Sequence, residues 1–184
     1  MKPPIKKPQV VEPLWCACGD HAWAVLTRGF VTLVSPQDAD LLRVKWHAHK
    51  SGDKFYAFRT IHLVGSGRAT AKRYADYLHR RIRIVRPGVL IDHRSGDTLD
   101  NRRGNLRTAT RAQNAVNSRK NSGGLSSTYK GVTWSREWGK WCAQIGKTSR
   151  FLGYFAVEEA AARAYDAAAV RLYGVYARLN FPVD

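Results

Sequence analysis

A run near the middle of the chain, Ser118-Arg119-Lys120-Asn121-Ser122-Gly123-Gly124-Leu125-Ser126-Ser127, limits what the sequence can fold into more than any other feature. Small polar residues and paired glycines offer no face for a helix or strand to bury, so residues 118–127 read as a flexible linker. The 184 residues, 44% of them hydrophobic, are thereby divided and must fold as two or three small units, each around its own core. No internal repeat is evident.

Ahead of the linker, residues 1–13 read as a disordered basic arm: Met1-Lys2-Pro3-Pro4-Ile5-Lys6-Lys7-Pro8 lacks the apolar core of a secretory signal. Phe30, Thr32 and Val34 alternate with Val31 and Leu33 as in a strand, and Ser35-Pro36 opens a short helix through Leu42, with Ser at the cap and Pro in the first turn. Val44–Trp46 and Lys54–Arg59 look like strands joined through Ser51-Gly52-Asp53, a hairpin signal. After Gly65-Ser66-Gly67, Tyr74, Leu78 and Ile82 recur at helical spacing. Beyond the linker, Trp141, Ala143 and Ile145 alternate with Lys140, Cys142 and Gln144, a half-buried strand. Ala161, Ala164, Tyr165, Ala168 and Leu172 follow a helical period that Gly174 stops.

The net charge of +17 and pI near 10.3 favour a polyanionic partner. Residues 128–184 carry 8 Lys and Arg against 5 Asp and Glu, so +14 of the +17 precedes them. The electrostatic grip is therefore concentrated N-terminally, and the last segment must rely more on shape. No apolar run approaches the length of a membrane span. Three cysteines are too few for a disulfide framework and fit a reducing interior, which makes a cytoplasmic, DNA-associated location the expectation.

Residues 86–117 are rich in chemistry. Asp92-His93-Arg94-Ser95-Gly96-Asp97 is followed by Asp100-Asn101-Arg102, Asn105-Leu106-Arg107 and Gln113-Asn114. A base, oxygen donors for a hard cation and several arginines are the parts that phosphodiester hydrolysis needs. The alternative for any one of them is a polar loop bonding its own backbone. The ordered set resembles the HNH nuclease motif, in the variant with Asn at the third position. That resemblance implies a hairpin and one helix around a single divalent ion. His93 would then be the general base, Asn105 would orient its imidazole, and Asp92 and Asn114 would be the metal ligands. Carboxylate and amide oxygens suit Mg²⁺ or Mn²⁺.

Just upstream, the arginine-rich run from His79 to Arg86 is either a phosphate-gripping surface or a solvated helix face. With the motif it offers Arg80, Arg81, Arg94 and Arg107 as phosphate contacts, whereas for His79 a structural and a catalytic role are equally open. Cys16, Cys18 and His21 could hold structural zinc with His47 or His49 as a fourth ligand. Cys-x-Cys is tighter than the usual spacing, however, and plain thiols are the alternative.

In the last segment, Tyr129-Lys130-Gly131-Val132, Trp138-Gly139-Lys140-Trp141, Leu152-Gly153-Tyr154-Phe155, Ala164-Tyr165-Asp166 and Asn180-Phe181-Pro182 resemble an AP2 domain. The resemblance implies three strands, one helix and a closing Asn-Phe-Pro, with the open sheet face entering the DNA major groove. Candidates on that face are Lys130, Thr133, Ser135, Arg136, Trp138, Lys140, Gln144, Lys147 and Arg150. The plant pattern places arginines at several of these points, so base preference does not carry over.

The expected fold is α+β. A mixed N-terminal region and ββα-metal nuclease occupy residues 14–117, and a three-stranded antiparallel sheet packed on one helix occupies residues 128–184. The expected activity is that of an HNH homing-type, metal-dependent endonuclease acting on double-stranded DNA, of the kind found in phages, with no small-molecule cofactor. The rival readings are a DNA-binding regulator with an inactive motif and an RNA-binding protein.

Overall fold

The computed structural model describes residues 10–63, 72–118, 126–146 and 149–182. Most of the basic arm, Gly65-Ser66-Gly67, residues 119–125 of the linker and Lys147 lie outside the described residues. The chain is a mixed α+β protein with small antiparallel sheets, divided into compact units of residues 1–109 and 110–184. No helix among the described residues is long and apolar enough to cross a membrane.

In the first unit, β1 (Leu14–Trp15), β2 (Ala22–Val25) and β3 (Val31–Val34) pair antiparallel in chain order. The alternation expected of β3 is present, with Thr32 and Val34 buried. The helix after Ser35 is 3-10, Pro36–Arg43, and the Ser35 hydroxyl does not cap it; it accepts from the Arg103 backbone N–H at 2.9 Å.

A second sheet contains β4 (His47–Ser51), β5 (Lys54–Leu63) and β6 (Lys72–Tyr77). Ser51 pairs with Lys54 across a two-residue Gly52-Asp53 turn, which Gly52 serves at φ +63°. Val44–Trp46 is not part of this hairpin; Trp46 is buried, and its indole N–H donates to the Leu41 carbonyl at 2.8 Å.

The helix expected from Tyr74 onward is only α1 (Leu78–Ile82). Tyr74 lies in β6 opposite Ile61 and is exposed. The long β5 edge recruits that segment into a ladder, so cross-strand pairing overrides the helical spacing. β7 (Leu90–His93) and β8 (Leu106–Ala109) form a two-stranded ribbon. Ala22, Val34, Leu42, Trp46, Ala57, Leu78, Ile82 and Leu106 share one core, which fixes α1 and the ribbon.

The second unit begins earlier than the Gly/Ser run suggests, at Thr110. α2 (Arg111–Val116) opens with a capping box in which Thr110 Oγ1 accepts from the Gln113 N–H at 3.2 Å and Gln113 Oε1 accepts from the Thr110 N–H at 2.8 Å. At its other end Lys130 Nζ donates to the carbonyls of Val116 and Ser118, which draws α2 into this unit.

β9 (Val132–Ser135), β10 (Lys140–Ile145) and β11 (Arg150–Phe155) form an antiparallel sheet with β10 central, covered on one face by α3 (Glu158–Tyr173). Alanines at 161, 162, 168 and 169 let α3 lie close to the strands, and Gly174, at φ +52°, ends it as expected. Leu172 does not face the sheet; it is exposed. The buried Asp166 carboxylate accepts from the Asn180 and Phe181 backbone N–H groups, both within 2.9 Å, and so ties the closing Asn-Phe-Pro to α3.

Gly131, at φ +77°, packs where a Cβ would overlap the Tyr165 ring and sit 2.6 Å from the Gln144 carbonyl oxygen. Left-handed strain and overpacking are expected to make Gly131→Ala cost about 3 kcal/mol. Denaturant unfolding followed by the tryptophans of this unit checks it, and a loss under about 1 kcal/mol would contradict the packing.

Candidate active site and nucleic-acid interface

Asp92 and His93 close β7, and Asp92 pairs directly with Arg107 on β8. Arg107 Nε and Nη2 both reach Asp92 Oδ2, at 2.8 and 2.7 Å, and both side chains are buried. Arg107 is therefore committed to the carboxylate and does not present its guanidinium to a phosphate, contrary to the sequence expectation. The cross-strand register imposes this, since partners on one face of an antiparallel pair are near neighbours.

His93 is 4% exposed. Its Nε2 lies 3.1 Å from Asn101 Oδ1. The fully buried Asn101 spends its amide N–H groups on Thr32 Oγ1 (2.9 Å) and the Leu99 carbonyl (3.2 Å), so its oxygen faces the ring. His93 Nε2 then carries the proton, and Nδ1 is the nitrogen able to accept one. Burial pushes the imidazole below its ordinary pKa, which keeps it neutral at pH 7.

Asn105, expected to hold the ring, instead braces the loop between β7 and β8. Its Oδ1 accepts from the Ser95 N–H at 2.8 Å, and its Nδ2 donates to the Asp100 carbonyl at 2.7 Å. The loop folds back at Arg94, whose N–H donates to the Asn105 carbonyl at 2.8 Å, so the Asn105 amide meets backbone. Asn101 lies within the motif, but the sequence pattern gives it no role; its position eight residues after His93 is the signal that could have found it.

His79 sits edge-on to His93, with ring centroids 5.3 Å apart, and Tyr56 lies 5.8 Å from His79 and 6.3 Å from His93. Burial above all, with the Arg80 charge and the repulsion that two protonated rings, His79 and His93, would feel, pushes the His79 pKa down to about 3. It remains neutral and acts as a packing ring beside His93. Asn114 is exposed on α2, in the second unit. Arg94 is exposed beside His93, and Arg80 lies over the Tyr77 ring at 5.4 Å. Arg81 is held by Asp76 Oδ1 at 2.8 Å.

Asp76 also takes Arg59 Nε, at 2.7 Å on Oδ2. Burial opposes its charge, but the hydrogen bonds and charges of Arg81 and Arg59 outweigh this and hold the carboxyl below its ordinary pKa. A depressed carboxyl stabilises the fold above its unfolded pKa and loses that contribution as pH falls through the folded value. Asp76→Asn is therefore expected to lower stability at pH 7 and to flatten the acid limb of the stability curve. Unfolding between pH 7 and pH 2 measures both, and an unchanged acid limb would contradict this role.

Cys16 and Cys18 are joined as a disulfide, which the sequence did not lead us to expect. With His21 they form a cluster whose ligand atoms lie within 4.8 Å of one another. Zinc takes thiolates, so this pair could ligate it only when reduced.

On the second unit, Trp141, Ala143 and Ile145 face α3, which turns Lys140, Cys142 and Gln144 to the open face. Thr133 and Ser135 of β9 pair with Cys142 and Lys140, so they share that face. Arg136, Trp138, Lys140 and Arg150 are exposed, and Gln144 is half-buried with Nε2 3.4 Å from Cys142 Sγ. Lys130 is not presented to a groove. It is bound to the Val116 and Ser118 carbonyls, and burial, with Arg178, pushes its pKa down to about 8.

The open face also carries Phe151 and Tyr154, which the sequence pattern did not place there. Residues three apart normally face opposite sides of a strand. Here Ala143 pairs with Gly153 and Gln144 with Phe151, so β11 accommodates one extra residue and both rings reach one face.

This buried Asp-His-Asn arrangement on a two-stranded ribbon has the residue types of an HNH nuclease site, and residues 85–116 match the HNH_3 family of HNH endonucleases. The C-terminal region is similar to plant AP2-type proteins. The ethylene-responsive transcription factor ERF010 of Arabidopsis thaliana is 55% identical over 58 residues, covering 29% of this chain and 31% of that protein. The dehydration-responsive element-binding protein 2D of the same plant is 51% identical over 61 residues, covering 31% of this chain and 29% of that protein. The AP2-like ethylene-responsive transcription factor PLT2, also from that plant, is 37% identical over 86 residues, covering 43% of this chain and 15% of that protein. The chain thus spans less than a third of the length of each of these relatives. It joins an HNH-type nuclease segment to an AP2-like DNA-binding region.

Proposed function

We propose that the protein is a metal-dependent, site-specific DNA endonuclease of the homing type, in which the AP2-like face chooses the target. The observation that carries this reading is His93: buried, neutral, fixed through Nε2 by Asn101, and adjacent to the Asp92 carboxylate inside the HNH-matching segment. Held so, Nδ1 takes a proton from the attacking water. The HNH resemblance assigns Asp92 and Asn114 as the metal ligands, and carboxylate and amide oxygens suit Mg²⁺ or Mn²⁺. Such an ion, when bound, supplies charge stabilisation at the scissile phosphate. Asp92 would share its carboxylate between that ion and Arg107. Arg80 and Arg94 reach for the DNA backbone.

The competing reading is a DNA-binding protein that does not cut, and the grip of Arg107 on Asp92 favours it. Incubation of the purified chain with supercoiled plasmid separates the two. Nicked or linear product with Mg²⁺ or Mn²⁺, abolished by EDTA, is expected for the nuclease. Binding without product in either metal would establish the binder, and full cleavage in excess chelator would eliminate the single-metal mechanism.

A further inference from the structure

The open face of the AP2-like sheet carries an apolar patch, made by Phe151 and Tyr154 of the edge strand β11 and Trp138 of the β9–β10 turn. Trp138, Phe151 and Tyr154 are 57%, 54% and 41% exposed. Their rings are contiguous: Trp138 lies 5.7 Å from Tyr154, and Phe151 lies 5.0 Å from Tyr154 in an edge contact. Three large rings left in water side by side mark a surface that something covers. They are not spare core, since α3 closes the opposite face with alanines and Tyr165. The extra residue in β11 is what brings Phe151 and Tyr154 together.

Two exposed cations, Arg136 and Lys140, flank Trp138 in sequence, so the apolar patch has basic neighbours of the kind that meet phosphates. On the central strand β10, the buried Cys142 pairs with Tyr154 and the half-buried Gln144 with Phe151, and Thr133 of β9 lies on the other side of Cys142. Guanine is read in the major groove mainly by bidentate Arg or Lys, and thymine by apolar contact with its C5 methyl. The three contiguous rings supply the second device.

We propose that this face selects its targets by the C5 methyl groups of thymine, taken up in the major groove by the Trp138–Tyr154–Phe151 platform. The proposal rests on the DNA-binding reading above and adds to it the chemical group that is read. Each methyl removed from water adds about fourfold to affinity, so a site that seats three gains about 60-fold.

The test uses the full chain in EDTA, which suppresses cleavage. Duplexes are selected by the protein from a random pool and resynthesised with deoxyuridine in place of thymidine, which removes only the methyl groups. Selected sites are expected to be thymine-rich over a few adjacent positions. Uridine substitution there is expected to weaken binding by about fourfold per position and about 60-fold over three positions. Phe151→Ala should weaken binding to the thymidine duplex more than to the uridine duplex, a non-additivity that general loss of affinity would not produce. Because Phe151 is exposed, the variant should fold, and its unfolding midpoint verifies this.

Equal binding of thymidine and uridine duplexes by the wild-type chain overturns the proposal and leaves the DNA-binding reading standing. Tighter binding of single-stranded than duplex DNA also overturns it, since the rings would then be stacking on unpaired bases. Failure to bind any duplex in the pool overturns both readings.

Discussion

Replacing His93 by alanine is expected to slow cleavage by about two to four orders of magnitude while changing DNA affinity by less than about threefold. The first expectation follows from the ring's part in the chemistry, because without Nδ1 no group held by Asn101 is left to take the proton of the attacking water. The second follows because a neutral, buried imidazole contributes little to a phosphate grip made by exposed arginines. Asn101→Ala should give a smaller loss of rate, because the base remains but is no longer oriented. It should also cost about 1–3 kcal/mol of stability through the two buried hydrogen bonds that the Asn101 amide gives to Thr32 Oγ1 and the Leu99 carbonyl. Single-turnover cleavage and binding assays on folded proteins measure both. Cutting by His93→Ala at the wild-type rate would remove His93 from the mechanism, and parallel loss of binding would make its role structural.

A second large effect is expected at the Asp92–Arg107 pair. Asp92→Ala should abolish cleavage and also destabilise the first unit by about 3–5 kcal/mol, because it leaves a buried guanidinium without its counter-charge. Combining it with Arg107→Met replaces the pair by apolar atoms and should return most of that stability without returning activity. The double variant therefore separates folding from chemistry, which the single variant cannot do. Arg107→Met alone frees Asp92 from its competitor, so Mg²⁺ should raise its unfolding temperature more than it raises that of the wild type. A double variant that still cuts would exclude Asp92 as a metal ligand. One that stays as unstable as Asp92→Ala would show that the cost arises elsewhere.

Elements with a strict period were legible from the sequence. The alternation around Thr32 and Val34 gave β3, that around Ala143 gave β10, and the small-residue stripe through Ala161 and Ala168 gave α3. Tyr74, Leu78 and Ile82 misled because their spacing does not distinguish one helix from a strand that runs into a helical turn. The chemistry divided in a similar way. The position of His93 inside a recognisable motif was plain, but its partner was decided by a loop that folds back and by Thr32, far away in sequence. No local pattern distinguishes Asn101 from Asn105 in that respect. Phe151 and Tyr154 were hidden by an irregularity of register, and Arg107 and Lys130 by partners that took up charges expected to be offered outward.

The lysine that closes α2 also has a practical consequence for protein engineering. A transplant of the AP2-like region onto another enzyme would naturally be cut in the Gly/Ser run, near residue 128. That cut would strip Lys130 of both carbonyl acceptors and remove the helix they tie to this unit. The joint that preserves the module is Ala109–Thr110, which keeps the capping box, the helix and the lysine as one portable piece.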